Sequence, residues 1–328
     1  MDEDFRRTIE PECLLEPPLA LDMINRLDVF EFGLYFVLTF MSCVSLLLFL
    51  EQCLFIYKHL PYPKKTIVIW ISGVSPIIAT MACFGLWIPR AVMITDMTSA
   101  CYFSVVVYKI LGLLIEEFGG STPFLKIFAG KNFKISVGPC CCCCPCLPLV
   151  PMSRKMLFLL KLGSLQYAIL KPVFSIISVI LWRNAIYDPT NLGIRSATLW
   201  INLSVGVLTV ISLWPVGIVF MNLNILLRSV KIIPKYAMYQ LTFVLTQLQT
   251  SIINILAANG CIACSPPLSS QYRGFMLSQK MLIMEMFIIS LFTRYLYRRL
   301  YDPVEIEEQE IVLNHKAIVQ APLEEHDV

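Results

Sequence analysis

Charge is what this sequence has least of: Asp, Glu, Lys and Arg together make up 15% of 328 residues, against 57% hydrophobic residues and a mean hydropathy of +0.71. So little charge cannot clothe a soluble core of that size, and the bilayer is the expected solvent. Histidine is almost missing, with His59, His315 and His326 far apart, and neither an HExxH stretch nor a Gly-rich phosphate loop occurs. Those absences remove the common metal and nucleotide chemistries, so no enzyme activity, no cofactor and no metal are expected. Lys and Arg never gather into a block long enough to track phosphates, and the net charge is only +3, which removes a nucleic-acid partner. A basic leader is lacking as well, since residues 1–28 hold eight acids against three arginines. The first apolar segment is therefore expected to serve as its own targeting signal.

What is present is long apolar runs. A helix crossing about 30 Å of hydrocarbon needs about 20 mostly apolar residues, and seven segments reach that length: 29–57, 66–88, 91–115, 156–182, 196–221, 236–256 and 276–297. Runs such as VSLLLFL and FSIISVIL are apolar at every angle, where a β-barrel strand would alternate. The expected fold is an all-α integral membrane protein with seven transmembrane helices.

Cytosolic loops retain Lys and Arg during insertion. Lys58, Lys64 and Lys65, the group from Lys126 to Lys155, Arg228 with Lys231 and Lys235, and Arg294, Arg298 and Arg299 share one side if the N-terminus is extracellular and the C-terminus cytosolic. The acidic N-terminal segment, 1–28, agrees. This topology leaves a tight outer turn at Pro89 and Arg90, a Cys-rich cytosolic loop at 116–155 and an acidic cytosolic tail at 298–328 around the transmembrane domain, 29–297.

The loop contains Cys140, Cys141, Cys142, Cys143, Cys144 and Cys146, bounded by Pro139 and Pro148. Disulfides do not suit reducing cytosol, and adjacent cysteines diverge where zinc needs converging ligands. Thiols at a membrane surface are good S-acylation targets, and each buried CH₂ of an added chain contributes about 0.8 kcal/mol of membrane affinity. An unmodified Cys-rich turn is the other reading.

Ionisable groups inside spans cost about 2.5–3.5 kcal/mol on insertion scales and so face a cavity or a partner. Lys171 is near the centre of the fourth span, followed by Pro172, and Glu285 is near the centre of the seventh. At matching depth the two would form an ion pair or share one polar cavity. They either fix helix packing, or Lys171 offers positive charge to an anionic solute while Glu285 limits it at rest. In the sixth span Gln247, Thr250, Ser251 and Asn254 follow i, i+3, i+4, i+7 spacing, a single helical face that is expected to look inward. Gln247, Gln249, Ser251 and Asn254 thus join Lys171 and Glu285 as candidates for lining a solute path; interhelical hydrogen bonding is the plainer role. Lys109 and Lys161 lie near span ends, where they can snorkel.

These stretches resemble a known family, the alpha subunits of the organic solute transporter. The matching motifs are CFGLWIPR (Cys83 to Arg90), EEFGG (Glu116 to Gly120), GPCCCCCPC (Gly138 to Cys146), QYAILK (Gln166 to Lys171), YDP (Tyr187 to Pro189), LWIN (Leu199 to Asn202), ACSPP (Ala263 to Pro267) and YRR (Tyr297 to Arg299). The resemblance implies a seven-helix subunit that needs a single-span beta subunit for surface delivery and activity. It also implies downhill movement of bile acids, conjugated steroids and related amphipathic solutes at the basolateral membrane of epithelia. Two other readings share the topology. A seven-helix signalling receptor would show an acidic-arginine motif ending the third span and NPxxY in the seventh, where this chain has IEEFGG and RYLYRR. An acylated membrane scaffold without transport is the other.

Overall fold

The computed structural model describes residues 20–62, 64–136, 149–184, 186–187, 196–229, 233–258, 260–263 and 269–300. Its helices are α1 (Ala20–Arg26), α2 (Val29–His59), α3 (Lys64–Ser72), α4 (Val74–Trp87), α5 (Val92–Glu116), α6 (Ser121–Phe128), α7 (Arg154–Arg183), α8 (Ala197–Ser229), α9 (Ile233–Val244), α10 (Thr250–Ala258) and α11 (Ser270–Leu300). The protein is mostly helical, and six stretches are long and apolar enough to cross a membrane: Val29–His59, Lys64–Trp87, Pro89–Glu116, Arg154–Arg183, Ala197–Leu223 and Tyr272–Arg298. The stretch expected as one span at 236–256 is instead helix, π turn and helix, with the π turn at Leu245–Gln249 between α9 and α10.

Local chemistry places the helix ends. The Asp28 carboxylate accepts from the Val29 N–H at 2.8 Å and starts α2, and Ser153 Oγ accepts from the Met156 N–H at 3.2 Å and starts α7. Pro89 opens a 3₁₀ turn, Pro89–Ala91, that joins α4 to α5. At the far end of α5, Gly119 and Gly120 turn the chain with φ of 81° and 96°, values that a side chain resists.

The core forms where α4 packs on α11 and α5, and α5 packs on α7. Leu86, Val106, Leu111, Leu114, Ile283 and Met286 are fully enclosed there. The outer ring is different: only 22% of the apolar window of α2 is buried, against 56% for Lys64–Trp87. Phe36, Phe40, Leu47, Leu50 and Leu54 project from α2 as an uncovered apolar face, the surface that lipid tails would solvate.

The described residues of the 116–155 loop form a helix and a strand pair. Phe118 meets Phe124 and Phe128 of α6 edge to face, and Phe128 meets Phe133 in the same way, in a small aromatic cluster. Strands β1 (Asn132–Lys134) and β2 (Leu149–Pro151) pair antiparallel, Phe133 opposite Val150. Helix α8 holds this pair: Asn222 accepts from the Lys134 N–H at 2.8 Å and donates to its carbonyl at 3.0 Å, and Trp214 donates to Ile135 O at 2.9 Å. The candidate acylation sites Cys140, Cys141, Cys142, Cys143, Cys144 and Cys146 lie outside the described residues.

Candidate functional site

Glu285 sits halfway along α11, half-buried, and faces the π turn. With its amide nitrogen turned toward the carboxylate, Gln249 donates to both oxygens of Glu285, at 2.9 and 3.0 Å. One step on, Thr250 and Ser278 share a hydrogen bond of 3.3 Å, so two successive residues of the sixth stretch are tied to α11. The π turn makes this possible. Its wider ring inserts an extra residue, which swings Gln249 and Thr250 toward α11 and rotates their neighbours away.

That rotation overturns the expected inward face. Thr250 is turned toward α11, but Gln247, Ser251 and Asn254 are all exposed on the outside of the bundle. Ser251 only donates back to Gln247 O, at 2.6 Å, and the side chains of Gln247 and Asn254 have no hydrogen-bond partner among the described residues. The spacing does keep these three on one face; it cannot tell which side of the helix the rest of the bundle occupies, and the error lies there.

Lys171 is half-buried on α7, immediately before Pro172, beside the contact of α7 with α5. Cys101 donates to Ser175 Oγ at 3.5 Å one turn away. No ion pair joins Lys171 to Glu285 among the described residues. Their helices belong to different neighbourhoods, α7 packing on α5 and α8 while α11 packs on α4, α2 and α10. The two candidate charges are therefore separate.

A further carboxylate within a span was missed, an exposed one near the start of α5. Asp96, on α5, accepts from Gln279 Nε2 on α11 at 3.1 Å. Gln279 is 3% exposed and its carbonyl oxygen has no partner among the described residues. The signal was available, since Asp96 interrupts the apolar run VMITDMTSACYF a few residues into the third span. Asp96 and Glu285 share one arrangement, a carboxylate held by a glutamine amide.

Toward the end of the bundle that carries His59 and Lys64, carboxylates meet cations instead. Lys64 is 2.6 Å from Glu117, whose side chain is only 4% exposed. Arg294 donates to both oxygens of Glu51, at 2.8 and 3.0 Å, and Arg298 also pairs with Glu51. Lys161 donates to Ser121 Oγ at 2.6 Å. Toward the opposite end the pair of Lys280 with Glu31 is looser, at 3.9 Å, and Lys280 also lies over the Tyr35 ring.

Several family-like motifs supply these helix contacts. Trp87 and Cys83 of CFGLWIPR both donate to Thr39 on α2, at 2.8 and 3.6 Å. Tyr187 of YDP reaches Asn202 of LWIN at 3.5 Å, and burial pushes its phenol upward from the usual tyrosine range, which keeps it neutral. A narrow crevice of about 30 Å³, room for little more than a water molecule, lies between α3, α4, α9 and α11, lined by Ile71, Ser75, Tyr239, Thr242, Thr293 and Tyr297.

Among known proteins, the family model described as organic solute transporter Ostalpha matches residues 34–303. An organic solute transporter subunit alpha from Danio rerio is 55% identical over 94% of this chain and 96% of its own. Proteins of the same name from Leucoraja erinaceus and Homo sapiens are 37% and 36% identical over 90% and 89% of this chain, and over 84% and 86% of theirs. No solved structure matches.

Proposed function

The chain belongs to the organic solute transporter Ostalpha family, and from that premise we propose that it is the alpha subunit of a two-part facilitative transporter for bile acids, conjugated steroids and similar amphipathic solutes. The observation that carries this reading is the 55% identity to a named alpha subunit across 94% of the chain. The complete transporter contains a single-span beta subunit and works at the plasma membrane, basolateral in epithelia; without beta, the alpha subunit stays in the endoplasmic reticulum. Movement is downhill and reversible, in keeping with a sequence that has no nucleotide-binding loop.

In this reading the chain crosses the bilayer seven times, the stretch Ile233 to Ala258 with its π turn being the sixth crossing. The N-terminus is outside and the C-terminus in the cytosol, which puts Lys58, Lys64, Arg294 and Arg298 on the positive side. The thiols from Cys140 to Cys146 then face the cytosolic leaflet, where acyl chains pin their loop to the bilayer. Lys171 attracts the anionic end of the solute, and the Glu285 carboxylate, held only by a neutral amide, keeps anions from resting at that level.

Uptake of labelled taurocholate and estrone sulfate in cells expressing the chain with or without beta tests the function. Transport by the pair alone is expected; no uptake by the pair, with both subunits at the surface, contradicts it. Replacing Lys171→Met is expected to impair anion uptake with surface amount intact, and unchanged uptake rejects its role. Acyl exchange lost in a serine variant of Cys140 to Cys146 tests acylation, and an unmodified wild type ends that idea.

A further inference from the structure

The exposed polar face after the π turn is the least comfortable surface of the molecule. Gln247, Ser251 and Asn254 stand one helical turn apart on the outside of the bundle, flanked by the exposed aliphatics Val244, Leu248 and Ile255. Two amides there have no hydrogen-bond partner among the described residues. Lipid tails offer no donor or acceptor, so a stripe of amides and a hydroxyl at this depth needs another polypeptide over it.

The chain's two terminal segments do not suit the task. Residues 1–19 contain Asp2, Glu3, Asp4, Glu10, Glu12 and Glu16, and the stretch 301–328 is also acid-rich, so neither has the composition to enter hydrocarbon. The relatives that match along the whole chain are each named as one subunit, alpha, which places a second polypeptide in the assembly. The spacing i, i+4, i+7 is the seam that one helix presents to another crossing it at a shallow angle.

We infer that Gln247, Ser251 and Asn254 form the docking seam for the membrane-spanning helix of the partner subunit, a helix that carries amide or hydroxyl side chains among small and aliphatic ones. This rests on the two-subunit reading above. The π turn serves both sides of the sixth stretch: it commits Gln249 and Thr250 to α11 while freeing the seam for the partner. A polar seam of this kind gives pairing specificity that a purely aliphatic face lacks.

The test places a photo-crosslinking amino acid at Gln247, Ser251 or Asn254, one at a time, in cells expressing the chain with tagged beta. Ile176 of α7 and Leu203 of α8, both exposed and apolar, are the control positions. An adduct of alpha with beta from the three seam positions, and none from the controls, is the expected result. An adduct of two alpha chains at the seam, beta adducts from the control positions alone, or no protein adduct anywhere would each overturn the assignment. The combined Gln247→Leu, Ser251→Ala and Asn254→Leu variant, checked for an unchanged thermal transition when purified alone, is expected to lower capture of beta about tenfold; full capture overturns the assignment too. Capture of beta by the wild-type chain separates the two levels. If wild type captures none, the two-subunit reading fails; if it captures beta but the seam is silent, only the docking site fails.

Discussion

One end of the bundle handles its acids differently from the interior. Near the end with His59 and Lys64, Glu117 meets Lys64, and Glu51 meets Arg294 and Arg298. Midway along α11 Glu285, and nearer the opposite end Asp96, each meet a glutamine amide and no cation among the described residues. A cation cancels a carboxylate's charge and ties two helices together; an amide gives one or two hydrogen bonds and leaves the charge in place. On the function proposed above, paired charges hold helix ends, and the uncancelled carboxylate of Glu285 is left to face the solute.

The strongest way to break this comparison is at Lys64. Replacing Lys64→Met strands the nearly buried Glu117 carboxylate and is expected to cost about 3 kcal/mol of stability, seen as a large fall in the thermal transition in detergent, with Lys64→Arg recovering most of it. An unmoved transition would mean the pair fixes nothing. Gln249→Leu comes next. It deprives Glu285 of both hydrogen bonds and is expected to cost about 2 kcal/mol, with Gln249→Glu worse because two carboxylates would then face each other.

Glu51→Gln should matter less, about 1 kcal/mol, since Arg294 and Arg298 are 34% and 45% exposed at their side chains and water and headgroups can take them over. The smallest shift is expected for Glu285→Gln, within about 0.5 kcal/mol, because two glutamine side chains can still bond to each other across the same gap. A large loss of stability there would erase the distinction between the two regions.

Much of this was legible in the sequence because the strongest signals are local. Apolar length locates the helices of the first five spans and of α11, and Asp28, Ser153, Pro89 and the Gly119–Gly120 pair locate several of their ends. The inward face expected of the sixth stretch failed because the partners that Gln249 and Thr250 find on α11 are tertiary contacts that no window of sequence contains. The Lys171 and Glu285 pairing drawn from equal depth failed for a related reason: depth gives one coordinate of three, and α7 and α11 occupy different neighbourhoods. The aromatic cluster of Phe118, Phe124, Phe128 and Phe133 and its anchor on Asn222 were also invisible, since both depend on which helix the loop lands on.

The most direct test of the division between architectural and functional charge is taurocholate uptake per surface molecule, measured with beta present for Glu285→Gln and Glu51→Gln side by side. The Glu285 variant is expected to change the initial rate by about fivefold or more, while the Glu51 variant stays near wild type once its surface amount is counted. Equal rates for the two variants, or a change confined to Glu51, would contradict it.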